Sequence, residues 1–198
     1  MEQSTAKKYE FLINDTIELG GGVTLFRIKA LIGFENVKKG ELGGYVEKEG
    51  NLCHSGKAWV TGNAKVYGSA RVSGDAWISG DAEVSGNAKV FGNAEVIDYA
   101  KVYDNALVSD NAWVADDAEV SGNAKVSGHA KVLGRAMVTG HAKVYGNASL
   151  HDSAWLCDNA KVYDNANVLH GAKVTGNAEV SGDAWISGGA KVSGRQPK

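Results

Sequence analysis

From Gly56 onward the apolar and polar positions of the chain recur with a period of six. The sequence reads GKAWVT, GNAKVY, GSARVS, GDAWIS and so on to GGAKVS, which ends at Ser193, giving twenty-three hexads without insertion or deletion. Position 3 is Ala in every hexad, from Ala58 to Ala190, and position 5 is always Val, Ile or Leu, from Val60 to Val192. Two residues apart on a strand, these side chains point to the same side, and the residue at position 4 between them points away. Position 1 is Gly or Asp except at His170, and position 2 is mostly Asn, Asp, Ser or His. Such residues tolerate the left-handed backbone that a sharp corner needs. The pattern therefore predicts a triangular coil of three hexads, with three short strands and three corners. Each strand would hydrogen-bond in parallel to the strand three hexads on.

Residues 1–50 break the period. Lys8–Asn14 and Thr16–Leu19 read as strand, Gly20-Gly21-Gly22 as a turn and Val23–Leu31 as a returning strand. A small β unit of this kind would cover the open edge of the first coil. Gly50–Ser55 reads as a degenerate first hexad. The expected organisation is thus an N-terminal β-hairpin cap over 1–50, a solenoid over 51–193 and a tail over 194–198. Pro197 and the tail charges are the only sequence features that could finish the last coil, so its end is expected to stack on another copy or be shielded by a neighbour.

The spacing from Val66 to Ala70 and from Val72 to Ala76, an aliphatic residue followed four positions later by a small one, resembles the hexapeptide-repeat superfamily. That resemblance implies an all-β, left-handed parallel β-helix. The segment Leu42-Gly43-Gly44-Tyr45-Val46-Glu47, leading through Asn51-Leu52 into Ala58-Trp59-Val60, resembles a group of phage and prophage hexapeptide proteins, some relatives of which are labelled putative acetyltransferases. The fold itself implies no activity, since one architecture hosts many functions.

Composition narrows the picture. Hydrophobic residues make up 43%, but mostly as Ala and Val, which suits a narrow solenoid core. Twenty-six Gly with a single Pro, and no Gly-X-Y period, point to a turn in each repeat rather than collagen. The first eight residues hold no apolar run and no stretch approaches a membrane span, so a cytoplasmic protein without a membrane partner is expected. Cys53 and Cys157 would stand roughly 25–30 Å apart at about 4.8 Å per coil, beyond disulfide reach. A net charge of −2 gives no bulk reason for nucleic acid.

Sorting position 4 by coil gives three outer faces. The first carries Trp59, Trp77, Glu95, Trp113, Lys131, Ser149, Asn167 and Trp185, so four of the five tryptophans share a face. Aligned tryptophans mark a contact surface, for sister subunits of a dimer or trimer or for a foreign protein. The second alternates in sign over Lys65, Glu83, Lys101 and Glu119, then carries Met137, Trp155, Lys173 and Lys191. The third bears Arg71, Lys89, Lys125, Lys143 and Lys161, with Leu107 and Glu179. Like charges about 5 Å apart repel by roughly 0.8 kcal/mol in water, so this interrupted strip reads first as a solvated face and second as a candidate for an anionic partner, with Phe91, Tyr145 and Tyr163 beside it. Along the axis an acidic band (Asp98, Asp104, Asp110, Asp116, Asp117) precedes a basic one, Lys125 to Lys143. The bland reading is that Asp replaces Gly in the turns.

Hexapeptide acyltransferases usually use a histidine base beside a loop that folds over acyl-CoA, and no such loop interrupts the hexads. His151, Asp152 and His170 share a corner on adjacent coils and form the one acid–base cluster. His129 and His141 fall on different corners. No zinc-ligand set, phosphate loop or nucleophile motif is seen, so no cofactor or metal is expected. These features together point to a non-catalytic scaffold that self-associates and engages a protein, such as a host defence factor. The alternatives are a CoA-dependent acyltransferase and a binder of nucleic acid or another anion.

Overall fold

The computed structural model describes residues 7–194. The leading residues 1–6 and residues 195–198, which carry the expectations about Pro197 and the tail, lie outside the described residues.

The hexads form a parallel β-solenoid. Position 4 and position 5 make each short strand, from Trp59–Val60 to Glu179–Val180 and Trp185–Ile186. Each pairs with the strand three hexads on, as in Lys65 with Glu83 and Glu95 with Trp113. Three sheets result, of 11, 8 and 7 strands among the described residues, one per face. Position 3 alanines and position 5 aliphatics fill the axis, nearly all without solvent exposure. Among the described residues no helix is long and apolar enough to cross a membrane.

The coils are tied by a directional ladder. The N–H groups at positions 2, 4 and 6 donate to the carbonyls at positions 1, 3 and 5 of the following coil, as in Asn63 to Gly80, Lys65 to Ala82 and Tyr67 to Val84. Every position 1 has a positive φ, glycine or not, with Asp98 at 60° and His170 at 52°. A left-handed backbone strains a residue that carries a Cβ. At six of the seven corner aspartates a bond to the next coil offsets this: the carboxylate accepts the position-1 N–H one coil on, as from Asp104 to Gly122 at 3.0 Å, Asp110 to Gly128 at 3.0 Å and Asp116 to Gly134 at 2.8 Å, while Asp152 faces His170 instead. Asparagine amides at position 2 form matching ladders, such as Asn93 to Asn111 at 3.1 Å.

A ladder of this polarity leaves carbonyls at the N-terminal end of the stack, and the preceding chain supplies their donors. Three strands, β1 (Tyr9–Leu19), β2 (Val23–Ala30) and β3 (Leu42–Val46), form an antiparallel unit whose last strand continues in parallel onto Lys65–Val66. Backbone N–H groups of Tyr45, Glu47 and Cys53 donate to Ala64, Val66 and Val72. Side chains cover the remainder: Asn51 Nδ2 donates to Ala70 at 2.8 Å and Gly68 at 3.2 Å, Lys8 Nζ to Ala58 at 2.7 Å and Gly56 at 3.4 Å, and Arg27 to Gly62 at 3.4 Å. Gly44 is required here, because a Cβ would stand 2.6 Å from the Ala64 carbonyl oxygen.

The phase of this capping coil differs from the predicted one. Trp59 pairs with Trp77 at the regular three-hexad spacing, whereas Leu52 bridges Val72 and Tyr45 pairs with Lys65 at a spacing two residues longer. Cys53 thus occupies position 6 and Gly56 position 1, so His54 and Ser55 are a two-residue insertion in the corner. Gly50–Ser55 is therefore not a hexad in phase with the others, because Leu52, and not a residue at the next hexad's spacing, points into the core.

Replacing Asn51 by Leu keeps a side chain branched at Cγ, though a larger one, and leaves two carbonyls at the coil end without their donor. A loss of about 1–3 kcal/mol is expected, read as a lower urea midpoint at unchanged slope. An unchanged midpoint would contradict the capping role.

Candidate functional site

The structure distributes the predicted residues differently from their positions in the hexads. Trp59 corrects the tryptophan face. It is 0% exposed, covered edge-on by Phe34 at 5.4 Å and Tyr9 at 6.5 Å between ring centroids, and therefore belongs to the cap junction rather than to a surface open to a partner. Position 4 points outward from the coil, but here a second layer of chain lies over it. Trp77 and Trp113 are half-buried on the open part of the same face. Trp113 has its indole N–H buried and unpartnered, with the Lys131 ammonium 5.6 Å from its ring. Trp155, on the second face, is covered in the same way by Lys173 at 4.5 Å. Trp185, near the far end, is 65% exposed.

Two adjoining hollows run along the first face. One, of about 520 Å³, is lined by Glu35, Asn36, Lys57, Asp75, Trp77, Asn93 and Glu95. The next, of about 360 Å³, shares Asn93 and Glu95 and continues past Trp113 to His129 and Lys131. The cap loop thus opens onto a groove with two indoles on its floor and carboxylates along its side. An ion pair between Glu35 and Lys57 fixes the loop at its entrance.

On the third face Arg71, Lys89, Lys125 and Lys143 are exposed, and Lys161 pairs with Glu179 at 2.7 Å. Lys125, Lys143 and Lys161 border a hollow of about 540 Å³ with Asn123, His141 and Asn159. Tyr145 and Tyr163 stack with centroids 4.9 Å apart and an interplanar angle of 1°. On the second face Lys65 pairs with Glu83 at 3.1 Å, while Glu119 accepts the Tyr103 hydroxyl at 3.1 Å.

Asp98, Asp104, Asp110 and Asp116 of the acidic band hold the corners described above, with Asp98 reaching the Asp116 N–H at 3.4 Å. Asp117, at position 2, is exposed and borders a hollow with Asp81, Glu83 and Lys101. Of the acid–base trio, His170 Nε2 lies 3.2 Å from Asp152 Oδ2, with the two side chains 63% and 52% exposed. His151 has its backbone N–H bonded to the Val168 carbonyl, and the ion pair joins His170 to Asp152 alone. Among the described residues no group of three or more His, Cys, Asp or Glu is placed to hold a metal.

A cluster absent from the sequence reading lies at the cap junction. The inserted His54 stacks on Tyr9 at 4.4 Å, accepts the Lys8 backbone N–H at Nδ1 and turns a buried, unpartnered Nε2 towards Glu49, 3.8 Å away. Cys53 Sγ is 3.0 Å from Ser55 Oγ. An open hollow of about 410 Å³ is lined by Glu49, Leu52, Cys53, His54, Ser55, Arg71 and Ser73. Burial pushes the Lys8 ammonium from 10.5 down to about 8, against the attraction of Cys53 and Asp75. Burial also lowers His54 and raises Tyr9. The Ser55 hydroxyl, with Lys8, holds the Cys53 thiol below its ordinary range. The crowding of Lys8, Cys53 and His54 around one corner was invisible in sequence because Lys8 reaches it from a distant segment. The broken period at 50–55 was the available signal.

Residues 100–116, about one coil in the middle of the stack, match the family model described as the YdcK beta solenoid repeat. No curated protein matched the chain. With the coil geometry, that match defines a parallel β-solenoid of the hexapeptide-repeat kind.

Lys8 yields a pH prediction. Its folded value lies below its unfolded one, so unfolding takes up a proton between them and stability rises with pH from about 8 towards 10.5. Cys53, also lowered, acts in the same direction up to 9.0, and Tyr9, raised, opposes both above 10.0, where the unfolded chain ionises first. In a Cys53→Ser background the urea midpoint should climb between about pH 8 and 10, and Lys8→Met should flatten that climb. An identical slope in both proteins would show that Lys8 is not the titrating group.

Proposed function

We propose that the chain is a binding scaffold of the cytoplasm that engages a protein partner along its tryptophan face. The observation that carries this reading is the continuous groove from the cap loop past Trp77 and Glu95 to Trp113 and Lys131. Indole surface beside carboxylates and amides suits a protein segment that offers apolar and basic side chains, since aromatic anchors with a polar rim dominate such interfaces. A stack held by a hydrogen-bond ladder and a tight Ala/Val core presents this groove with little ordering cost on binding. The likeness of residues 42–60 to phage-type proteins favours a host factor as the partner, and self-association through the same face is the competing use.

Affinity capture from host lysate should return a partner with the native protein and lose it with Trp77→Ala/Trp113→Ala. Trp59 is left intact because its removal would damage the cap. Equal capture by both proteins would refute the assignment to this face, and a smaller assembly size in the variant than in the native protein would assign the groove to self-association.

A second reading rests on the third face, where Lys125 and Lys143 border a hollow with His141 and no carboxylate on its lining. There an extended polyanion is the ligand. Binding to single-stranded nucleic acid should weaken steeply with salt, and Lys125→Ala/Lys143→Ala should reduce that slope by about 1–2. A slope unchanged in the variant would remove this reading.

A further inference from the structure

We propose that Cys53 is a modification site, a thiol lining a hollow that can receive a small disulfide carrying carboxylate groups. The site is built by the one corner that breaks the three-hexad register among the described residues. The inserted His54 and Ser55 push the chain outward between Cys53 at position 6 and Gly56 at position 1, and the hollow of about 410 Å³ opens there, within the range of small-molecule sites.

The surroundings favour an anionic sulfur. The Ser55 hydroxyl stands 3.0 Å from Sγ, in position to donate to a thiolate. The Lys8 ammonium lies beneath the same corner, bonded to the carbonyls of Gly56 and Ala58. Arg71 lines the hollow from the next coil and is exposed, so its guanidinium is available to a carboxylate. Glu49, on the opposite side, has its carboxylate bonded to the Lys7 ammonium at 2.5 Å. His54 is not a base for the thiol, because its Nδ1 already accepts the Lys8 N–H, which leaves the proton of the neutral ring on Nε2.

The reaction is thiol–disulfide exchange. The Cys53 thiol gives its proton to water, its sulfur attacks one sulfur of the incoming disulfide, and a new S–S bond joins Cys53 to that half. The old S–S bond breaks with its electron pair leaving on the other half as a thiolate. The incoming disulfide is the oxidant, and no further one is needed. Oxidised glutathione belongs to this class of reagent.

Cys157 is an internal control. It is also free and partly exposed, but Asp158 lies beside it with Oδ2 3.6 Å from Sγ, and burial with that carboxylate pushes its thiol up. Folded wild-type protein is to be treated at neutral pH with the dianionic reagent 5,5′-dithiobis(2-nitrobenzoate), or with neutral 2,2′-dithiodipyridine, and the labelled peptides assigned by mass spectrometry. Cys53 should react about tenfold or more faster than Cys157, as expected when one thiol is held more acidic and the other less. Arg71→Ala should slow the dianionic reagent at Cys53 several-fold and leave the neutral one unchanged. Oxidised glutathione should then form a mixed disulfide at Cys53 first. Labelling of Cys157 as fast as Cys53 would overturn the reactive-thiol assignment, and equal slowing of both reagents by Arg71→Ala would overturn the anion-selective hollow.

Discussion

The ladder between coils runs one way. Donors at positions 2, 4 and 6 face the following coil and carbonyls at positions 1, 3 and 5 face the preceding one. Stacking can satisfy every coil except those at the ends, and a buried carbonyl without a donor costs about 1–3 kcal/mol. The N-terminal unit is shaped by that requirement. β3 supplies backbone donors in the place of a preceding strand, and where the backbone departs from the coil path, Asn51, Lys8 and Arg27 reach the remaining oxygens with side chains. A lysine is kept buried against its own preference for water because two carbonyls accept from it and the Phe34 ring lies 5.2 Å from its ammonium.

The regular part of this molecule was legible because its physics is local. A six-residue period with Ala at position 3 and an aliphatic at position 5 fixes which side chains enter the axis, and Gly or Asp at position 1 fixes the corner. Two strands of the cap were also readable, with β1 and β2 within one residue of the expected bounds, whereas β3, which makes the expected hairpin a three-stranded unit, was not. What could not be read depends on contacts between distant segments. Trp59 satisfies the outward position of its hexad, yet Phe34 and Tyr9 bury it. The phase of residues 50–55 depends on β3 pairing two residues out of step with the repeat, which no hexad spacing reveals.

The same distinction sorts the candidate site residues. Four aspartates of the acidic band, Asp98, Asp104, Asp110 and Asp116, hold successive corners by accepting the next coil's N–H, so their place follows from fold chemistry rather than from a ligand. The side chains of Trp77, Trp113, Lys125, Lys143 and Lys161 have no such duty in the ladder, and they border open hollows. Departures from the repeat are informative in the same way. The two residues inserted at His54 and Ser55 bring a thiol, an imidazole and an arginine around one hollow, with the Lys8 ammonium bonded to the carbonyls of the same corner, where the other corners of the described hexads keep the regular register.

The central claim is that donors from the N-terminal unit hold the carbonyl end of the stack. Hydrogen exchange resolved along the chain tests it most directly, comparing the native protein with Lys8→Met/Asn51→Leu. Protection should fall in β3 and in the first coil, from Ala58 to Val72, while the amides of the middle coils from Val120 to Leu156 exchange as before. Equal loss of protection along the whole stack, or none in the first coil, would contradict it.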